Sequence, residues 1–321
     1  MFDKFFWLKP IYEKVNYKNL SHGLIINGPY GIGKRELANE VIKNLLINKI
    51  DHEKNLQLIN SGNHPDLFNL DKEVIKLHHI TYRKNKWDEE KGTKNVNDFI
   101  NLTPSIAKNK VVLINNAETM NNESQNALLK TLEEPSLNSY ILLITNRHHS
   151  LEKTIYSRCQ IINIPNLSVS QKNKWLTENG LSEINAFNFP SYYSPLKILN
   201  ELDNGTQNNF KDFVFTVKQF LLNDISQSEA IRIIKNLDIG LIQILNFTVE
   251  FLKIILKSKV SNERLSGNYE FLNNMSFSSL KLSNVLNDIN VLRQKFFKVS
   301  SLNDLHILNQ NLISIKGSIN N

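Results

Sequence analysis

Residues Gly28 to Lys34, inside "NGPYGIGKRE" (27–36), fit the spacing G-x-x-x-x-G-K. A glycine-rich turn between a strand and a helix aims backbone N–H groups at one spot, and the helix N-terminus adds positive potential. The flanks agree with that use, since "LIIN" precedes the loop and an apolar repeat at Leu37, Val41 and Leu45 follows it. Gly28, Gly31, Gly33 and Lys34 are therefore candidates for a phosphate cradle, with an ordinary tight turn as the alternative.

Nucleotide hydrolysis needs more than a cradle. The residue after the lysine normally supplies a hydroxyl to Mg²⁺, but here it is Arg35, which cannot ligate a cation. A second ligand normally comes from an acid at the end of an apolar strand, often followed by another acid that orients water. The matching run "VVLI" (111–114) is followed by Asn115 and Asn116. Amides accept hydrogen bonds, yet they bring neither a negative charge for Mg²⁺ nor a base near neutral pH. Three positions depart in the same direction, so a degenerate nucleotide site is expected, with ATP binding absent or very weak. Glu118 is expected to be a surface acid beyond the strand end rather than a substitute ligand. Thr145 and Asn146, at the end of a later strand, are expected to be vestigial or ordinary hydrogen bonders.

Metal and thiol chemistry find little support. The 321 residues contain one cysteine, Cys159, too few for an internal disulfide or a cysteine zinc site. His52, His64, His78 and His79 lack ligand spacing, so no zinc and no other metal is expected. The adjacent His148 and His149 read as a solvated loop. The aromatic group Phe5, Phe6, Trp7 and Tyr12 could stack on bases, but a packed N-terminal helix is the plainer expectation.

The elements that must position these groups follow from the apolar pattern. "GLIIN" (23–27), "DLFNL" (66–70), "VVLIN" (111–115), "YILLIT" (140–145) and "QIINI" (160–164) are short and nearly continuous, as in strands buried on both faces. Between them, Leu37, Val41 and Leu45 together with Ala38, Ile42 and Leu46 make one wide helix face. A second helix is expected over 122–134, with Leu128, Leu129 and Leu132 inward and Pro135 stopping it. Alternating strands and helices predict a three-layer α/β domain with a mainly parallel, five-stranded sheet. After residue 165 the strand signals stop. A small helical lid is expected over 166–205 and an all-α domain over 206–321, whose Phe210, Phe213, Phe220, Phe247 and Phe251 read first as an internal core.

Composition sets the broader limits. With 41% apolar and 21% charged residues the chain reads as an ordinary soluble protein. No apolar run reaches membrane-spanning length and the N-terminus lacks a secretory signal, so a cytoplasmic location is expected. The net charge of +7 would suit an acidic partner. It is spread, however: residues 1–165 hold 22 Lys/Arg against 18 Asp/Glu, and the remainder 16 against 13, which does not draw a nucleic-acid track.

The stretches "ESQNALLKTLEEPS" (123–136), "YILLITN" (140–146) and "TIYSRCQI" (154–161) closely resemble the bacterial clamp loaders, AAA+ proteins of the DNA polymerase III holoenzyme. The resemblance covers residues 1 to about 205. Within that family the degenerate P-loop and missing acids look like the delta-prime subunit rather than the ATP-hydrolysing gamma/tau subunit, and "GNHPDL" (62–67) matches both. Two departures stand out. The family's usual four-cysteine zinc module is absent, and Leu196 in "YSPLKIL" occupies the place of a lid arginine that reads the nucleotide.

The resemblance implies that the arginine of "SRC", Arg158, is a finger acting in trans on ATP held by the next subunit, with Ser157 and Cys159 positioning or packing beside it. Read bare, Arg158 would be a surface salt bridge. The resemblance further implies a stator in a five-membered ring, with gamma/tau and delta subunits as partners, and the sliding clamp and primed DNA reached through the complex. The C-terminal helices would be the ring's collar. Two rivals remain: a gamma/tau-like ATPase with other metal ligands, and an AAA+ DNA-processing adaptor outside the polymerase.

Overall fold

The structure, a computed structural model, describes residues 1–47, 52–82, 94–147, 149–206, 208–262, 264–265, 267–296 and 304–319. They form two compact units, Met1–Leu167 with Ser194–Lys197, and Ser168–Tyr193 with Ile198–Asn321.

In the first unit the five apolar runs become strands β1 (Gly23–Asn27), β2 (Leu67–Leu70), β3 (Lys110–Ile114), β4 (Ser139–Thr145) and β5 (Cys159–Asn163). All pair in parallel, in the order β2-β3-β4-β1-β5. Every residue of β1 and β3 is buried, which explains why their sequences show no alternation. At the edge, β5 does alternate: Ile161 is exposed and Ile162 buried. Helix α1 (Lys9–Glu13) precedes β1. Parallel neighbours cannot be joined by tight hairpins, so the chain crosses over through helical segments, which include α2 (Lys34–Leu46), α3 (His52–Asn60), α4 (Leu77–Ile80), α5 (Val96–Ile100), α6 (Asn122–Glu133) and α7 (Lys153–Tyr156).

The face expected of α2 is the buried one, with Leu37, Ala38, Val41, Ile42, Leu45 and Leu46 all covered. Helix α6 starts where Asn121 accepts a bond from the Ser124 N–H at 2.9 Å. It stops at Glu133 because Glu134, ahead of Pro135, leaves the helical region (φ −122°, ψ 69°) and cannot continue it. Leu128 and Leu132 are buried against the sheet and Leu129 is partly so.

The second unit is helical: α8 (Val169–Glu178), α9 (Pro195–Asp203, whose first residues cluster with the first unit), α10 (Asn209–Leu221), α11 (Gln227–Lys235), α12 (Leu241–Ser261), α13 (Ser279–Phe296) and α14 (Asp304–Gly317). Phe210, Phe213, Phe220, Phe247 and Phe251 are all buried, and the Phe247 ring meets those of Phe210 and Phe213 at 5.0 and 5.7 Å. Two buried charges close on one residue: Lys172 of α8 donates to the Ser191 carbonyl at 2.6 Å, and Glu250 of α12 accepts the Ser191 N–H at 2.8 Å. Of the segment expected as a lid, 168–193 belongs to this second unit. His148, together with Gln207, Phe297 and Leu302 of the expected all-α domain, lies outside the described residues.

Candidate functional site

The loop from Gly28 to Lys34 runs from the C-terminal end of β1 into α2, at the edge of the sheet where β1 lies between β4 and β5. Gly31 (φ +72°) and Gly33 (φ +94°) adopt the left-handed backbone that favours glycine. Each glycine is also crowded by the chain's own atoms. A Cβ on Gly28 would lie 2.9 Å from the Ile164 carbonyl oxygen, one on Gly31 2.7 Å from Ser194 Oγ, and one on Gly33 2.9 Å from Leu8 Cδ1. The N-terminal aromatic segment thus packs on the loop, and Trp7 Nε1 donates to the Ile32 carbonyl at 2.9 Å. On the other side Ser194 Oγ donates to the Tyr30 carbonyl at 2.7 Å, and Leu196 packs beside Gly31.

Lys34 turns back onto this loop. Its ammonium donates to the carbonyls of Gly28 at 2.8 Å and Pro29 at 2.6 Å, and the side chain is buried. Burial pushes its pKa down to about 8, against the opposing pull of the Glu118 and Glu36 carboxylates. Arg35 points away, to Asp71 just after β2, with Nη1 3.0 Å from Oδ2.

Of the two amides after β3, that of Asn115 is engaged within the protein. Asn115 is buried and donates to Asn69 Oδ1 at 2.7 Å. Asn116 takes a left-handed conformation, φ +50°, and starts a 3-10 turn over Ala117–Thr119. That turn corrects the expectation for Glu118. The chain doubles back beneath the end of β4, so the carboxylate faces inward rather than into solvent. Oε1 accepts from the Asn146 backbone N–H at 3.2 Å and from its side-chain amide at 2.7 Å, while Oε2 is buried without a hydrogen bond. Thr145 is buried too, its hydroxyl bonded to the Arg147 carbonyl at 3.0 Å. A magnesium-bound triphosphate would need a hydroxyl and acids where this chain offers a paired guanidinium and two amides. It would also meet the Glu118 carboxylate beside the lysine. These residues do not fit such a ligand.

Arg158 lies elsewhere. It ends the turn after α7 and directly precedes β5, whose Cys159 pairs with Gly23 at the start of β1. The phosphate loop begins beyond the far end of β1, roughly 16 Å of strand away at about 3.3 Å per residue. The site residues named from sequence therefore fall into two groups at opposite ends of the sheet. Arg158 Nη2 reaches Glu133 Oε1 at 2.6 Å, and Nη1 donates to the Thr154 carbonyl at 2.9 Å and to Ser157 Oγ at 3.2 Å. Ser157 Oγ itself donates to the Thr154 carbonyl. Cys159 is a packing residue: a Cβ on Gly23 would sit 2.6 Å from its sulfur, and burial pushes the thiol up to about 12.

Glu133 was not legible as part of this site. It sits inside "LEEP", 25 positions before the arginine it binds, and no spacing connects the two. Among the described residues, no three His, Cys, Asp or Glu side chains converge on a point that could hold a metal ion. No described helix is long and apolar enough to cross a membrane.

Comparison with known proteins bears on the same half of the chain. The family model described as "DNA polymerase III, delta subunit" matches residues 7–168. The DNA polymerase III subunit delta' of Pseudomonas aeruginosa is 32% identical over 183 residues, 55% of this chain and 53% of the relative. That of Haemophilus influenzae is 29% identical over 222 residues, 65% of this chain and 64% of the relative. The chain thus spans about half to two thirds of the length of these curated relatives. A crystal structure of a DNA polymerase III gamma subunit-related protein from Thermotoga maritima aligns over 98% of this chain and 99% of that one, with 19% identity and a TM-score of 0.43.

Proposed function

Since the chain belongs to the DNA polymerase III, delta subunit family, we propose that it works as a clamp-loader subunit of the delta-prime kind. It takes part in DNA replication as a stator in a ring with gamma/tau and delta subunits, and meets the sliding clamp and primed DNA through that complex. The chain does not hydrolyse ATP itself, holds Mg-ATP weakly or not at all, and carries no zinc. Its chemical contribution is Arg158, offered to ATP bound on the neighbouring subunit. Residues 166–205 serve as a lid, residues 206–321 as the collar, and the complex works in the cytoplasm.

The observation that carries this reading is the separation of Arg158 from the chain's own phosphate loop, at the opposite end of β1 and β5. A guanidinium so placed cannot act on a nucleotide in its own loop, yet it is partly exposed, with 34% of its side-chain surface free. A planar cation with five N–H donors suits charge building on transferred phosphoryl oxygens.

The test is ATP turnover, stimulated by clamp and primed DNA, in the reconstituted complex with wild type or Arg158→Ala. Assembly is first confirmed to be equal. One active site is expected to lose about 10³–10⁵ in rate, so the complex loses that site's share of turnover. Unchanged turnover would overturn the finger.

A further inference from the structure

We infer that Glu133 is a stand-in anion for Arg158, holding its Nη2 edge until a phosphate displaces it. This deepens the finger reading above and rests on it. The two edges of the guanidinium are held differently. Nη1 is tied to neutral acceptors on its own turn, the Thr154 carbonyl at 2.9 Å and the Ser157 hydroxyl at 3.2 Å. That hydroxyl is itself fixed by donating to Thr154 O at 2.9 Å. Nη2 is tied instead to an anion from a different element, Glu133 at the last position of α6, at 2.6 Å.

The chemistry of the two edges sets which one exchanges. A carboxylate and a phosphoryl group present the same pair of acceptor oxygens to an arginine fork. The phosphoryl group of a bound nucleotide carries the greater negative charge, so it competes for the edge that the carboxylate occupies. The pair is open to such competition, because 34% of the Arg158 side chain and 47% of the Glu133 side chain are exposed. An ion pair this exposed to water is weak and gives way at small cost. While it lasts, the negative carboxylate cancels much of the field that would stabilise charge elsewhere. Nη1 anchored and Nη2 exchanged amounts to a pivot, with the tip of the side chain swinging from Glu133 to the phosphate about a fixed base. Glu133 is on this account a positioning residue that keeps basal turnover low.

The experiment uses the chain assembled with its gamma/tau and delta partners, and measures kcat and KM for ATP without clamp or DNA. Glu133→Gln keeps the shape and removes the charge. It is expected to raise basal kcat about 2–5-fold, equal to about 0.4–1 kcal/mol, with KM unchanged. Glu133→Asp, which keeps the charge, should return kcat toward the wild-type value. The gain should vanish in Glu133→Gln combined with Arg158→Ala, since the effect acts through the arginine. A merely structural role would lower turnover in both backgrounds. If Arg158→Ala reduces turnover and Glu133→Gln leaves it unchanged or lowers it, the stand-in role is overturned while the finger stands. If Arg158→Ala changes nothing, the finger reading falls and takes this inference with it.

Discussion

Asp66 has no solvent-exposed surface, yet its surroundings favour the ionised form. Its carboxylate accepts the backbone N–H groups of Ser105 at 2.6 Å and of Ile106 and Ala107 at 2.8 Å, and it pairs with buried Lys110 at 3.3 Å. Burial works to raise its pKa, but those three N–H bonds and the lysine charge hold it below the usual carboxylate range. A depressed carboxyl contributes stability that is present above its unfolded pKa, near 4, and lost as pH falls through the lower folded value. Asp66→Asn should therefore destabilise the chain at pH 7 by about 3–5 kcal/mol, because Lys110 is left buried without its counter-charge. The variant should also lose part of the acid limb of the stability curve, which urea denaturation at stepped pH would measure. In the sequence this residue was legible as part of "GNHPDL" and as the start of the strand run "DLFNL", with no sign of its partners. The bonds it makes lie some forty positions further on, where no local pattern points back to it. Its neighbour His64 accepts the Asp66 N–H at Nδ1, 3.1 Å away, and burial lowers its pKa, so it is a neutral structural imidazole. Glu118 was misread for a related reason: a left-handed asparagine redirects the chain, and nothing in the residue types announces it.

At the scale of elements, the strands and α2 were readable because burial on both faces, or on one wide face, leaves apolar runs of fixed period. Their ends fell within a residue or two of the expected positions. What joins helices in the second unit was not readable. Lys172 and Glu250 look like surface charges on helical stretches, yet both are buried, one gripping the carbonyl and the other the N–H of Ser191. Burial pushes Lys172 down to about 8, with the Glu250 charge pulling the other way. Removing one charge strands the other, so Lys172→Met alone should cost about 3–5 kcal/mol. In Lys172→Met with Glu250→Gln no buried charge remains and the glutamine oxygen can still accept the Ser191 N–H. This double variant should recover most of the loss in chemical denaturation, and a double variant no better than the single would refute the pairing.

For the whole molecule, the proposed silence of the phosphate loop has a thermal signature. A ligand present at 100 times its Kd stabilises a fold by about 2.7 kcal/mol, and in units of this size each kcal/mol moves Tm by about 2–4 °C. Millimolar Mg-ATP is expected to leave the melting curve of the isolated chain within about 1 °C of its ligand-free position. A shift of several degrees that requires magnesium would restore the nucleotide site. Sequence alone left the glycine spacing open between a ligand's cradle and a turn. The folded chain supplies a packing reason for each glycine, in the atoms of Ile164, Ser194 and Leu8 that press on the loop. The sulfur of Cys159, tucked over Gly23 with its thiol held up to about 12, has a practical consequence. The single cysteine among the 321 residues is half-buried, and with so little thiolate at neutral pH it is expected to react slowly with alkylating reagents. A second cysteine placed at an open position such as Leu137, 90% exposed, is expected to take a fluorophore well ahead of the native thiol, giving a single-site label with Cys159 left in place.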